Sequence, residues 1–259
     1  YTNNLFCGSI TLYGSNKGKN ISYSGSHQYR INHNIFSKDQ EEFVENEMLK
    51  KIEEDSNVQF MSYDPNQAYS CDERIVQRTL CLNDKSLMDI LDHKISFRNW
   101  AKDVCRVHYS ELLYGRECTY YRLREKYKKY STFVVQTNYA TGGEGTYILT
   151  AENADKIEPK LGKDEQYLVS GYEYYNIPVN IHAIVYEKDI LLFPVSIQIM
   201  RIQGNKLLYQ GSDYSEAMRI DKDALAEFRH YMKNICMKLQ REGFRGITGV
   251  DGMIVDGKV

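Results

Sequence analysis

Residues 133–147 read FVVQTNYATGGEGTY, an apolar run, three glycines within four positions, and then β-formers again. The flanking segments STFVVQT and TYILT read as strands. Gly142, Gly143 and Gly145 carry no Cβ, so backbone N–H groups in this loop are free to converge on an anion. The spacing G-x-x-x-x-G-K-[ST] is absent, and no helix follows to add its N-terminal dipole. The stretch therefore reads as a flap between strands, although a plain surface hairpin carries the same glycines.

Upstream of the flap, Ser37 and Gln40 make a capping-box pattern ahead of a helix through EEFVENEMLKKIEED. VQFMSYD at 58–64 and ERIVQRTLCL at 73–82 read as strands, which suggests an α/β layer. Helices are expected at 86–93, 95–107 and 116–130, and short strands and turns within 1–34. Downstream, a short helix at 151–161 leads into a strand beginning EQYLVSGYEYY, then two long β-type runs, 177–187 and 190–201. Asp221 then caps a helix whose Leu225, Phe228, Met232, Ile235 and Leu239 form one buried stripe, ending near Gly243. GITGVDGMIVDGKV closes the sequence as a strand with a hairpin turn at Asp256–Gly257.

The 259 residues carry a formal net charge of −2, which gives no general nucleic-acid or anionic-membrane surface. No apolar run reaches membrane-spanning length. The six cysteines, at 7, 71, 81, 105, 118 and 236, form no C-x-x-C pair and no zinc spacing. Scattered reduced thiols favour the cytoplasm.

Several polar residues are candidates for chemistry. Asp251 ends an apolar strand before a glycine, a place from which a carboxylate holds a hard cation, though Asp-Gly is also ordinary turn chemistry. Lys94, with Arg98 one turn later, either reaches phosphate or stays solvated. Glu165-Gln166-Tyr167-Leu168 opens a strand whose edge suits a purine, and strand-start chemistry accounts for it equally simply. Asn180, His182, Ser196 and Gln198 alternate along the paired β-runs, so each pair points to one sheet face, either a wet cleft or a satisfied polar network.

The order of these features resembles the ATP-grasp superfamily over about residues 90–259. The resemblance implies an α/β and α+β fold: a pre-ATP-grasp-like region at 1–92, a small subdomain with the flap at 93–164, and a C-terminal subdomain at 165–259. It implies ATP and Mg2+, with Lys94 as the first nucleotide-contacting lysine and Gly142, Gly143 and Gly145 as the phosphate flap. Glu165, Gln166, Tyr167 and Leu168 match the family's adenine hinge E-K-x-L, with glutamine in place of lysine, and Asp251 matches the first magnesium ligand. The second ligand set, E-x-N-x-R, would lie beyond Val259. Gln136 stands where the family usually has a phosphate-binding lysine, which shifts that load to Lys94, magnesium or an arginine such as Arg201, the expected catalytic cation. The implied activity is ATP-dependent ligation, in which a small-molecule or peptide carboxylate becomes an acylphosphate and an amine displaces phosphate, in a protein that allows a homodimer. A non-catalytic nucleotide-binding or interaction module is the alternative, and a bicarbonate-using enzyme a third.

Overall fold

The computed structural model describes residues 10–12, 21–23, 38–60, 68–80, 82–138, 145–203 and 206–259, and divides the chain into two compact units, Tyr1–Leu82 and Asn83–Val259. In the first unit β1 (Ile10–Leu12) and β2 (Ile21–Tyr23) pair antiparallel. Helix α1 (Lys38–Glu54) follows, as the sequence predicts, while its expected cap at Ser37 lies outside the described residues. Phe60 makes an isolated parallel bridge to Thr79, and the rest of the expected 58–64 strand past Phe60 is also outside them.

The expected strand at 73–82 is corrected. Glu73–Val76 form a short helix, α2. Asp72 accepts from the Arg74 amide at 2.9 Å, and the Thr79 hydroxyl bonds back to the Ile75 carbonyl. The cap outweighs the β-propensity of Ile75 and Val76.

The second unit begins with two helices, α3 (Lys85–Asp92) and α4 (Lys94–Ala101), separated by a single residue, His93. Its strands are β3 (Glu111–Tyr114), β4 (Phe133–Thr137), β5 (Thr146–Leu149), β6 (Gln166–Gly171) and β7 (Ile177–Val185). They continue as β8 (Ile190–Leu192), β9 (Ser196–Gln203), β10 (Lys206–Asp213) and β11 (Gly246–Ile254). All join one antiparallel sheet in the order β11-β7-β9-β10-β5-β4-β6-β3, with β8 paired to β7. The helix expected at 116–130 is shorter: a 3-10 turn at Gly115–Glu117, then α5 (Tyr120–Lys126). The one at 151–161 is a helical turn, α6 (Ala154–Ile157), running into a 3-10 turn at Glu158–Lys160. A further turn, α7 (Tyr214–Ala217), precedes the long helix α8 (Lys222–Arg241).

Helix α8 follows its sequence closely. Asp221 accepts from the amides of Asp223 and Ala224 at 3.0 and 3.1 Å, a cap that stabilises the helix by about 1 kcal/mol. Phe228, Met232, Ile235 and Leu239 are buried on one face. At the end, Gly243 adopts φ 89° and the Phe244 amide reaches back to the Leu239 carbonyl at 3.0 Å, the arrangement that stops a helix at glycine.

Two cores result. The first packs α8 against Val179, Ile181, Ala183 and Val185 of β7, with Phe97 and Trp100 of α4 at its edge. The second gathers Phe133, Val135, Leu149 and Val169 from β4, β5 and β6 under Leu123 and Ile157. Fully burying each such side chain stabilises by roughly 1.5–3 kcal/mol. The predicted turn at Asp256–Gly257 is present, with φ 49° and 72° and Val255 bridged to Lys258.

Candidate functional site

One group of candidate residues meets at the end of β4. The sheet register sets Gln136 opposite Thr146 of β5 on one side and Leu168 of β6 on the other, with Thr137 opposite Tyr167 on the next rung. The Gln136 amide donates to the Thr146 hydroxyl at 3.2 Å. Thr137 N–H donates to the Gly145 carbonyl at 3.0 Å and closes the base of the flap. Gly145 has φ 66°, and a Cβ there would lie 2.3 Å from the Thr137 hydroxyl oxygen, so conformation and space both require glycine. Gly142 and Gly143 lie outside the described residues.

Lys94 enters this group from α4. Its backbone N–H donates to the Asn138 carbonyl at 3.4 Å and its ammonium to the Thr137 carbonyl at 3.0 Å. The helix starts there because His93 caps it, Nδ1 accepting from the Ser96 amide. Burial, and then the charge of Arg98, hold the Lys94 pKa below the ordinary lysine value. Burial likewise lowers that of Arg98, whose guanidinium donates to the Ser110 hydroxyl. Lys94 thus stands at the base of the flap, with Arg98 a second desolvated cation one turn further along α4.

The 165–168 segment lies at the same end of the sheet. Tyr167 is buried, its hydroxyl donating to Glu165 Oε2 at 2.7 Å and accepting from the Gly162 amide at 3.0 Å. Burial, and then the bond to Glu165, push this phenol up to about 12. Gln166 is exposed and pairs with Tyr114 of the edge strand.

A second group stands on the other half of the sheet. Asp251 of β11 faces Asn180 of β7, and Asn180 faces Ser196 of β9, so one row crosses three strands. Asn180 Nδ2 donates to Asp251 Oδ1 at 2.7 Å, and Gln198 Nε2 donates to the same oxygen at 2.8 Å. His182 and Gly249 form the adjacent pair on this face. The alternation expected of these polar residues is what the strands show: they share one face, while Val179, Ile181 and Ala183 of β7 take the core face. Arg201 is exposed on β9, paired with Leu208, and alternation turns it to the face opposite Gln198. The structure does not bring it to Asp251.

Among the described residues no three His, Cys, Asp or Glu side chains gather as a metal cage. Asp251 nevertheless suits a hard cation. Beside it the Asn180 Oδ1 is buried and has no hydrogen-bond partner, an oxygen that a cation or its water would satisfy. The sequence puts Asn180 and Gln198 on one sheet face, as a wet cleft or a satisfied polar network, without joining them to Asp251, because the register that does so is set between strands far apart in sequence. An open groove of about 390 Å³ in the first unit, lined by Ser56–Gln59 and Gln77–Leu80, contains none of the candidates.

Comparison with known proteins gives the architecture. No family model matches the chain, and no curated protein does. Solved structures do. An ADP complex of N5-carboxyaminoimidazole ribonucleotide synthetase matches with a TM-score of 0.58 at 17% identity, over 81% of this chain and 54% of that one. Phosphoribosylamine–glycine ligase from Thermotoga maritima matches at 0.55 and 17%, over 81% and 55%. D-Ala:D-Ser ligase from Enterococcus faecalis matches at 0.51 and 14%, over 71% and 54%.

The chain has the ATP-grasp fold. It spans about half the length of the solved structures it matches. In the ATP-grasp fold of this chain, β4 and β5 flank the glycine flap, α4 leads in with Lys94, and β7, β9 and β11 carry the amide-held carboxylate. Among the described residues no helix is long and apolar enough to cross a membrane.

Proposed function

We propose that this chain is the nucleotide-binding part of an ADP-forming, ATP-dependent carboxylate–amine ligase. The observation that carries the reading is Lys94, a partly desolvated cation held on the strand end from which the glycine flap departs. A cation so placed binds polyphosphate strongly, because little water competes with it. The named ligases among the solved relatives support the same reading.

In the proposed reaction a substrate carboxylate oxygen attacks the γ-phosphorus of ATP and ADP leaves. An amine nitrogen then attacks the acyl carbon and phosphate leaves with the C–O bonding pair, after the amine loses its proton. No protein nucleophile is needed, so the residues position charge. Lys94 and Arg98 neutralise phosphate oxygens, Gln136 and the flap amides of Gly142, Gly143 and Gly145 donate to them, and the 165–168 segment borders the base. Asp251 would hold magnesium with Asn180, and the cation would supply screening of phosphate charge when bound. The proposed carboxylate is a small molecule or peptide terminus, in a cytoplasmic setting.

The alternative, nucleotide binding without turnover, draws on Gln136, a neutral side chain already engaged by Thr146. The test is calorimetric titration with ADP and ATP, followed by an ADP-release assay with magnesium and pools of amino acids, peptides and amines. Binding with substrate-dependent ADP release is expected. Binding without release selects the alternative, and absence of binding overturns both.

A further inference from the structure

The carboxylate of Asp251 is held in an unusual way for a surface acid. Its residue is exposed, yet Oδ1 accepts from two primary amides, Asn180 Nδ2 at 2.7 Å and Gln198 Nε2 at 2.8 Å. These donors come from β7, which neighbours β11 in the sheet, and from β9, the strand beyond it. Donors from two strands on one oxygen restrain the rotation that an exposed aspartate ordinarily has. Both donors fall on Oδ1, which directs Oδ2 and its lone pairs toward another partner.

The cost of this arrangement is visible at Asn180. Turning Nδ2 to Asp251, with a further long contact to the Val250 carbonyl at 3.4 Å, leaves Oδ1 needing a partner of its own. That oxygen belongs to a side chain only 8% exposed and has no hydrogen-bond partner. An orphaned buried acceptor destabilises the fold unless something satisfies it. A structural network would be expected to satisfy it, and Ser196, directly across on β9, does not.

Resting on the nucleotide-site reading, we propose that Asn180 and Gln198 are positioning residues of a divalent-cation site at Asp251, with Asn180 Oδ1 as its second protein oxygen. A site of one carboxylate and one amide oxygen is weak for the bare ion and strong when nucleotide phosphates complete the shell, which is how magnesium is ordinarily held. The two amides then act as outer-shell partners that keep the acid oriented between turnovers.

The test uses Mn2+ as the probe on the full chain. Electron paramagnetic resonance measures free Mn2+ with protein alone and with ADP, and calorimetry measures ADP affinity in EDTA. Gln198→Ala and Asn180→Ala are expected to weaken Mn2+ binding about tenfold or more while metal-free ADP affinity stays unchanged. Asn180→Asp restores an oxygen and is expected to recover Mn2+ binding relative to Asn180→Ala, which a purely structural role would not produce. Gln198 is only half-buried, so its variant keeps the test valid if Asn180→Ala fails to fold. Wild-type protein that takes up no Mn2+ in either condition, or variants that bind it as wild type does, would overturn the proposal. Failure of ADP to bind in EDTA with Mn2+ uptake intact would instead strike the nucleotide reading and leave the cation site standing.

Discussion

The ammonium of Lys94 lies 3.0 Å from the carbonyl oxygen of Thr137, so the first residue of α4 is fastened to the last residue of β4. The bond holds a charged side chain at the root of the glycine flap and limits how far the helix start and the strand end separate.

Replacing Lys94 by Met keeps the aliphatic stem and removes the charge. ADP affinity is expected to fall about tenfold or more, the worth of one charge-assisted hydrogen bond. Because the Lys94 pKa is lowered, ADP affinity should also decline with rising pH before 10.5 is reached. Calorimetry across pH checks both, and a wild-type pH profile retained in the Met variant would contradict the assignment.

Gln136→Lys is expected to act in the opposite direction. It adds a positive charge on β4 beside Thr146 and should tighten ADP about tenfold. Weaker binding would show that the Gln136–Thr146 bond matters more than the missing charge.

Asp251→Asn should separate chemistry from folding. The residue is exposed and its loss leaves the core intact, so the thermal midpoint should hold. Nucleotide turnover should drop about a hundredfold or more, since metal neutralisation is worth several kcal/mol. Parallel loss of stability and activity would mark Asp251 as structural.

Glu173 offers a pH prediction outside the site. Burial opposes its charge, but the Tyr130 hydroxyl, His108 and Lys129 together outweigh burial and hold its carboxyl below the ordinary 4.5. Its contribution to stability is therefore fully present above 4.5 and is lost as pH falls from there through the lower folded value. Denaturant titrations of wild type and Glu173→Gln should converge as pH falls below that window and differ above it.

Gly252→Ala tests how α8 meets the sheet. A Cβ at 252 would lie 2.7 Å from Cε2 of buried Phe228, so overpacking should cost about 1–3 kcal/mol. At Gly249 the first atom met belongs to the exposed His182 ring, which is able to swing aside, so Gly249→Ala should cost less. Thermal midpoints of the two variants settle the order.

The sequence exposed the elements whose own residues decide them. The α8 stripe, its Asp221 cap and its Gly243 stop are local, as are the apolar runs of β4 and β7. Strand β10 escaped because KLLYQGSD is polar and broken by a bulge at Tyr209–Gly211, and its pairing with β9 and β5 supplies what its residues lack. Strand β3 is four residues long at the sheet edge, too short for a periodicity. The site shows the same division. Lys94, Gln136 and Gly145 were readable from chain order, whereas the two amides on Asp251 depend on a register spanning 53 and 71 residues.

Among the described residues, β5 and β10 share a single register pair, Tyr147 with Lys206. The sheet on either side has its own core, and α4 reaches both, with Lys94 on β4 and its Phe97 and Trp100 on the β7 side. A ladder reduced to one rung is a crease. Helix α4 spans that narrow join, tied to β4 by Lys94 and packed by Phe97 and Trp100 against the β7 side. The loop between β4 and β5 and the amide-held Asp251 thus stand on opposite sides of one narrow join in the sheet.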